Sequence, residues 1–177
     1  MSVGLEAAVP PCLVREARDG DLAGVAGLRL AGDGAAWTAG MIAADPARTV
    51  VVATVGVELV GVAKTHHHPE ARAEAPAGRY LGGILVSRRW SRRGIGTMLT
   101  TARLDWIWER SDTAFYFANE HNTASIELHR TLGFQPIATA PAFHSVTADG
   151  MSQLVLFAAH RAKNPGARRG RPDRIRF

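Results

Sequence analysis

The stretch ILVSRRWSRRGIGT, residues 84–97, carries the pattern that decides the fold of this chain. It starts within an apolar run, Tyr80–Val86, which is apolar on both faces and predicts a central strand. The loop that follows presents free backbone amides and arginine charge at a helix start, which predicts a phosphate or pyrophosphate cradle. The helix is predicted over Ile95–Glu109, because apolar residues recur there at helical spacing: Ile95, Met98, Leu99, Ala102 and Trp106.

Two other kinds of phosphate loop fit these residues poorly. No Gly-Lys-Ser/Thr follows the glycines, which rules out a Walker loop. Leu99 stands where a dinucleotide fingerprint requires its third glycine. In the preceding strand, Gly82 and Gly83 indicate a bulge or a close approach of another group to the backbone.

Outward from this stretch, the chain is a succession of short strands and helices. The other predicted elements are a strand at Cys12–Ala17, a helix capped by Asp19 or Asp21, a break at Gly32–Gly34, a short helical stretch with Trp37, Met41 and Ile42, a strand hairpin at Thr49–Val55 and Leu59–His66, a strand at Thr113–Asn119, a helix at Asn122–Leu132, and closing strands near Phe134–Phe143 and Met151–Ala158. This order predicts an α/β fold with a mixed sheet flanked by helices.

A second motif, N-x-A-S-I-x-L-H-x-x-L-G-F at 122–134, follows the ILV strand end and the RRGIG loop in order. In these three parts the chain resembles the GCN5-related N-acetyltransferases (GNAT). The resemblance implies a GNAT-like acyl-CoA N-acyltransferase fold, whose central sheet splays between the strands at 80–86 and 113–119 and binds acetyl-CoA there. The Leu-His pair at 128–129 is similar to the form that this motif takes in the small-molecule branch of the family. That branch includes antibiotic- and amine-modifying enzymes.

The same resemblance assigns the cofactor-binding residues. Backbone groups of Leu85 and Val86 would pair with the pantetheine arm and polarise the acetyl carbonyl. Asn122 would bond the cofactor arm, and it shares a polar helix stripe with Ser125 and His129, apart from an apolar stripe of Ala124, Leu128 and Leu132. The pyrophosphate would lie on the loop residues Arg92, Arg93, Gly94, Ile95, Gly96 and Thr97.

The chain departs from the family pattern at three places. Ser91 replaces a frequent Gln or Arg in the loop. His129 stands where a tyrosine often protonates the leaving thiolate, so His129 is either that acid or a packing residue beside the cofactor. The strand at 80–86 carries no glutamate base. The remaining candidates for the base are ordered water and the side chains of His66, His67, His68, His144 and Glu120.

The acceptor is expected to be a primary amine of a small molecule, with an aminoglycoside-type amino sugar as one candidate. The usual cleft of the family places the acceptor among Trp37, His66, His68, Tyr80, Phe143 and His144. The alternatives are acetylation of a protein N-terminus or lysine, and a non-catalytic binding module that acts through a basic tail. A metal site is not expected, because His66 and His68 share a strand face without a third ligand.

Composition supports one globular domain. The 177 residues divide into a lead-in at 1–11, one domain at 12–160 and an Arg-rich tail at 161–177. The tail holds seven basic residues and one acidic residue, so the net charge of +5 leaves −1 for the rest of the chain. We therefore expect a solvated tail rather than a nucleic-acid partner. The resemblance allows a homodimer.

One cysteine excludes an intrachain disulfide framework. The sequence shows neither a signal peptide nor an apolar run of the roughly 20 residues that span a bilayer, so a cytoplasmic protein without membrane partners is expected.

Overall fold

The computed structural model of the chain describes residues 10–28 and 37–162. The predicted break at Gly32–Gly34, most of the lead-in and nearly all of the basic tail lie outside the described residues. Within them, no helix is long and apolar enough to cross a membrane.

The described elements follow the predicted order, with an added small hairpin. They are β1 Cys12–Glu16, a 3-10 turn at Asp19–Asp21, α1 Leu22–Leu28, α2 Ala39–Ile42, β2 Val50–Val55, β3 Glu58–His68, β4 Gly78–Val86, a 3-10 turn at Arg88–Trp90, α3 Ile95–Trp108, β5 Thr113–Asn119, α4 Thr123–Thr131, β6 Gln135–Ala140, β7 Ala142–Phe143, β8 Val146–Thr147 and β9 Leu154–His160.

Seven strands form one mixed sheet in the order β1-β2-β3-β4-β5-β9-β6, and β7 pairs with β8 beside it. Within this sheet, β4 and β5 form the parallel pair. Helices cover both faces of the sheet. In β2, successive side chains point to opposite faces and both sets are buried, so each face needs a covering layer. Val50 and Val52 pack towards α1 and α2, while Val51 and Ala53 pack towards α3. The predicted mixed α/β fold is confirmed.

The buried face of α3 differs from the predicted face. Met98 is exposed, whereas Arg103 and Ile107 are fully buried. The inward line therefore runs through Ile95, Leu99 and Arg103, at intervals of four residues. The apolar pattern did not predict that Arg103 is buried, because arginine is not an apolar residue. Its position four residues after Leu99 is nevertheless on the buried face.

The predicted strand at Phe134–Phe143 is interrupted. β6 ends at Ala140, and β7 starts after Pro141, which has no N–H for a ladder hydrogen bond. The chain then turns at His144, whose φ is +51°. The short β7–β8 hairpin that results carries His144 and Ser145 to the edge of the splayed strands.

Candidate active site

The central sheet opens between β4 and β5. Their parallel register contains only the pairs Arg79 with Ala114 and Tyr80 with Phe115. Beyond Tyr80 the two strands have no paired residues, while β5 stays paired with β9 along its whole length. The opening that was expected from the family resemblance is therefore present.

A cavity of about 410 Å3 occupies this opening. None of the described residues in its wall is an aspartate, glutamate, lysine or arginine. The wall is formed by His66, His68, Tyr80, Leu81, Gly82, Gly83, Ile84, Tyr116, Phe117, Ala118, Asn122, Ser125, His129, His144, Ser145 and Val146.

A bulge in β4 shapes the cavity wall. Ala63 pairs with Ile84 and Thr65 with Leu81, so β4 holds one residue more than β3 over this interval. Gly82 and Gly83 thus lie outside the regular register with β3, and the register with β5 has already ended. A Cβ on Gly82 would lie 2.6 Å from Cδ2 of His66, so only glycine lets that ring pack here. Both readings of the paired glycines, a bulge and a close approach, are confirmed.

Arg103 holds this bulge from the α3 side. Its Nη1 donates to the carbonyls of Lys64 at 3.1 Å and Gly82 at 3.0 Å, and Nη2 donates to Oγ1 of Thr100 at 2.9 Å. Among the described residues, no carboxylate lies within ion-pair distance of it. Burial lowers the pKa of Arg103 to about 9. A buried cation bound mainly by carbonyls therefore lies directly behind the cavity wall.

The loop before α3 has the geometry of an anion cradle. Gly94 caps the helix in the left-handed region at φ +78°, and Arg92 has φ +57°. Around them lies a pocket of about 270 Å3, which is lined by Val86, Trp90, Ser91, Arg92, Gly94, Ile95, Gly96, Thr97, Ala124 and Leu128. Free amides at a helix start, a basic side chain and space for a ligand fit the pyrophosphate of acetyl-CoA. Arg93 instead lies over the Trp90 ring, at 5.1 Å from its centroid.

Helix α4 brings the second motif to the same opening. Asn122 caps the helix, and its Oδ1 accepts from the Ser125 N–H at 3.2 Å. Asn122, Ser125 and His129 all reach the cavity wall, as predicted for the polar stripe. The apolar stripe was only partly right, because Ala124 is exposed and lies with Leu128 at the loop pocket rather than in the core.

His129 is buried, with 2% of its surface exposed. Its ring stacks on Tyr116 at 3.8 Å between centroids, and Nδ1 lies 2.7 Å from the Ser125 carbonyl oxygen. Since a carbonyl oxygen only accepts, Nδ1 carries the proton of the neutral ring and Nε2 carries a lone pair. Burial is the main cause that lowers the pKa of His129 to about 4.

Tyr116 is a cavity residue that the sequence analysis did not single out. Its hydroxyl lies 3.2 Å from Oγ of Ser125, and both groups reach the wall. Burial raises the pKa of Tyr116, and the hydrogen bond to Ser125 acts in the opposite direction. Tyr116 lies on strand β5, whereas the tyrosine that the family often uses as the acid lies at the position of His129 on the helix. The motif on the helix therefore did not point to Tyr116.

Imidazoles and Tyr80 form the other end of the cavity. The rings of His68 and His144 stack at 3.6 Å, and each meets the Tyr80 ring edge-on at 5.1 Å. Burial is the main cause that lowers the pKa values of His66, His68 and His144, and the pKa of His66 falls to about 4. The rings are therefore neutral near pH 7 and able to accept a proton.

Four other expected contact residues lie outside this cavity wall. Phe143 is 2% exposed and packs in the core with Phe115 and Leu156. Trp37 packs against the α1–α2 core, and Leu85 packs with Val62 in the same cluster. Val86 belongs to the loop pocket rather than the cavity. At the bulge, the strand residues on the wall are Gly82, Gly83 and Ile84 instead.

No group of three histidine, cysteine, aspartate or glutamate side chains suited to a metal ion occurs in the described part of the chain.

The sequence profile of the acetyltransferase (GNAT) family matches residues 35–134, which is more than half of the chain. The protein belongs to the GNAT family. As a member of this family, the protein is an acetyl-CoA-dependent N-acetyltransferase. Its loop pocket and splayed sheet fit acetyl-CoA. A search of curated proteins finds no match.

Solved structures share the fold at low sequence identity. The ribosomal-protein-S18-alanine N-acetyltransferase from Escherichia coli superposes with a TM-score of 0.67 at 17% identity, covering 94% of this chain and 100% of that one. The putative acetyltransferase YncA from Salmonella typhimurium, solved with its cofactor acetyl-CoA, gives 0.67 at 16%, covering 88% and 96%. A nourseothricin acetyltransferase gives 0.63 at 17%, covering 84% and 98%. These similarities concern the fold.

Proposed function

We propose that this GNAT enzyme acetylates a primary amine of a small molecule. The observation that carries the proposal is the size of the cavity. Its volume of about 410 Å3 must hold the end of the cofactor arm as well as the acceptor. The β7–β8 turn, with His144 and Ser145, supplies one wall, so the room left suits a small acceptor body.

The loop and the bulge hold the acetyl donor. Amides around Gly94 and Gly96, with Arg92, bind the pyrophosphate, and Asn122 binds the arm. Acetyl-CoA supplies an activated acetyl group as a thioester. Backbone amides of β4, at the bulge residues Gly83 and Ile84 and at Leu85 and Val86, stabilise the negative charge that develops on the acetyl oxygen. The buried Arg103 behind them favours the same charge.

Two proton transfers balance the reaction. The acceptor ammonium loses a proton before its nitrogen forms the new bond to the acetyl carbon, and the sulfur gains a proton as the carbon–sulfur bond breaks. The neutral imidazoles of His68 and His144 accept the first proton, directly or through water, whereas His66 is the weaker base because burial lowers its pKa to about 4. Their position at the acceptor end favours them over Glu120, which is tied to the backbone N–H of Gln153 at 2.9 Å.

The second proton comes from Tyr116, through or beside Ser125. The expected donor was His129, but its Nδ1–H is engaged by the Ser125 carbonyl and its Nε2 is unprotonated in the neutral ring. A pKa of about 4 makes the doubly protonated ring scarce near pH 7. His129 then acts as the packing partner that fixes the Tyr116 ring by stacking.

The narrower candidate for the acceptor is an aminoglycoside-type amino sugar. It rests on the Leu-His form of the second motif and is consistent with a nourseothricin acetyltransferase among the structures of the same fold. Among the described residues, the cavity wall supplies no carboxylate for a cationic sugar. The proposal is therefore made for small primary amines, with an aminoglycoside as one member of the test panel.

The test is thiol release from acetyl-CoA with kanamycin, spermidine, single amino acids and short peptides. We expect turnover with small amines and loss of acetyl-CoA affinity in Asn122→Ala. The matched control is Glu127→Ala, since Glu127 is exposed on the same helix. Turnover with peptides alone would overturn the small-molecule assignment. Absence of both turnover and acetyl-CoA binding by calorimetry would overturn the whole proposal.

A further inference from the structure

At the acceptor end of the cavity, the described wall residues are uncharged, but they have cationic neighbours. On β3, the side chains of Lys64, His66 and His68 follow one another at every second residue, so they share one face of the strand. Lys64 and His66 both flank the bulge, because a Cβ on Gly82 would lie 3.0 Å from Cγ of Lys64 and 2.6 Å from His66. The aliphatic part of the Lys64 side chain thus passes the bulge beside His66, which lines the cavity.

Lys64 has no acidic partner among the described residues. Its Nζ lies 5.2 Å from the centroid of the Trp37 ring, and no described carboxylate comes within ion-pair distance of it. The side chain is half-buried, and burial lowers its pKa. Arg48, the neighbouring cation, is already paired with Asp45 at 3.1 Å. Within residues 10–28 and 37–162, the charge of Lys64 beside the bulge is therefore not paired with a carboxylate.

A second cation lies beyond the stacked imidazoles. A pocket of about 250 Å3 shares His68, His144 and Ser145 with the main cavity, and its other walls include Arg72 and Glu70. The charges of Arg72 and Glu70 offset each other. The balance of formal charge around the acceptor end is accordingly positive, and Lys64 supplies it.

From this arrangement we infer that the acceptor is an amine whose body carries a negative group of the carboxylate class, which Lys64 binds. The inference rests on the proposed function and names its substrate class. A carboxylate gains a charge-assisted hydrogen bond from the Lys64 ammonium, which has no such partner among the described residues. A polycationic amine would instead place further positive charge beside Lys64, with no carboxylate in the described part of the wall to hold it. Trp37 takes part indirectly, as the surface on which the ammonium rests.

The experiment compares acids with their amides. Alanine, leucine and phenylalanine are each assayed as the free amino acid and as the amide, with spermidine and kanamycin as polycations, and kcat/KM is expressed per unprotonated amine. We expect the acids to exceed their amides by about tenfold or more, as one charge-assisted hydrogen bond predicts. Lys64→Met should bring this ratio close to one, and Lys64→Arg should retain it. The matched control is Arg110→Met, a cation that lies on Trp106 away from the cavity.

Each outcome bears on the inference. Amides equal to the acids, a preference for spermidine or kanamycin, or an unchanged ratio in Lys64→Met would overturn it while acetyl transfer stands. Binding of acetyl-CoA without turnover of any acid would overturn it as well. Failure of the proposed function has a different signature, since acetyl-CoA itself would then not bind. Circular dichroism of each variant confirms that the comparison is made on folded protein.

Discussion

The proton that reaches the leaving sulfur distinguishes two residues that touch each other. We predict that Tyr116→Phe lowers kcat by about 100-fold, at the lower end of what a general acid contributes. The substitution keeps the ring that stacks on His129 and removes only the hydroxyl beside Ser125. His129→Asn, which keeps an N–H near the position of Nδ1, should lower kcat by less than about tenfold.

The magnitude follows from the state of His129. A group with a pKa of about 4 is doubly protonated in roughly one molecule in three thousand at pH 7.5. If His129 were the acid, the rate per free amine would fall nearly tenfold for each pH unit above 4. With Tyr116, whose pKa burial raises above its usual value near 10, the same rate stays level from about pH 6 to 9.

The assay is thiol release at saturating acetyl-CoA across this pH range, with each rate divided by the fraction of unprotonated amine. Near-ultraviolet circular dichroism checks that both variants keep their packing. Retention of one third or more of wild-type kcat in Tyr116→Phe would refute the assignment. A steady decline with pH that disappears in His129→Asn would return the role of acid to His129.

Three further predictions concern the bulge, the loop and the buried imidazoles. In urea titrations, Gly82→Ala should lower the free energy of unfolding by about 1–3 kcal/mol, because the new Cβ would collide with the His66 ring. Gly83→Ala should change this free energy by under about 0.5 kcal/mol, because a Cβ at Gly83 meets nothing within 4 Å. Equal effects of the two substitutions would contradict the steric argument. Gly94→Ala should weaken acetyl-CoA binding in calorimetry, because φ is +78°, while Gly150→Ala, at φ +59° in an exposed turn, bears similar strain without that effect. The pKa values of His66 and His129 fall from 6.5 to about 4 on folding. Between pH 4 and 6.5 the unfolded chain therefore binds more protons than the folded protein. Stability should therefore decrease as pH falls from 6.5 to 4, by roughly 2–3 kcal/mol for each histidine, and thermal melts of His66→Gln should show a shallower decrease.

Local features of the sequence predicted the cofactor half of the site. The strand at Tyr80–Val86, the loop at 92–96 and the capped helix after Asn122 each depend on residues close together in the chain. Backbone amides at a helix start form such a cradle whatever packs around them. Motif spacing could therefore predict that Arg92 and Gly94 lie at the loop before α3 and that Asn122 and Ser125 lie at the opening of the sheet.

The acceptor half depended on register and packing. Phe143 and His144 are adjacent in sequence, yet one fills the core and the other reaches the cavity, because the chain turns sharply at His144. A slip of one residue in a strand reverses every side chain, so the bulge at Gly82 decides which groups face the opening.

By itself, the sequence determined the order of elements, the cofactor loop and the family to which the chain belongs. Only the tertiary structure decided that Tyr116 lies on His129, that Arg103 bonds the carbonyl of Gly82 and that Lys64 passes the bulge with its ammonium near the Trp37 ring. The physical reason is that pKa values and proton positions depend on burial and on neighbours from distant strands. Those neighbours are set by sheet register, which no single segment encodes.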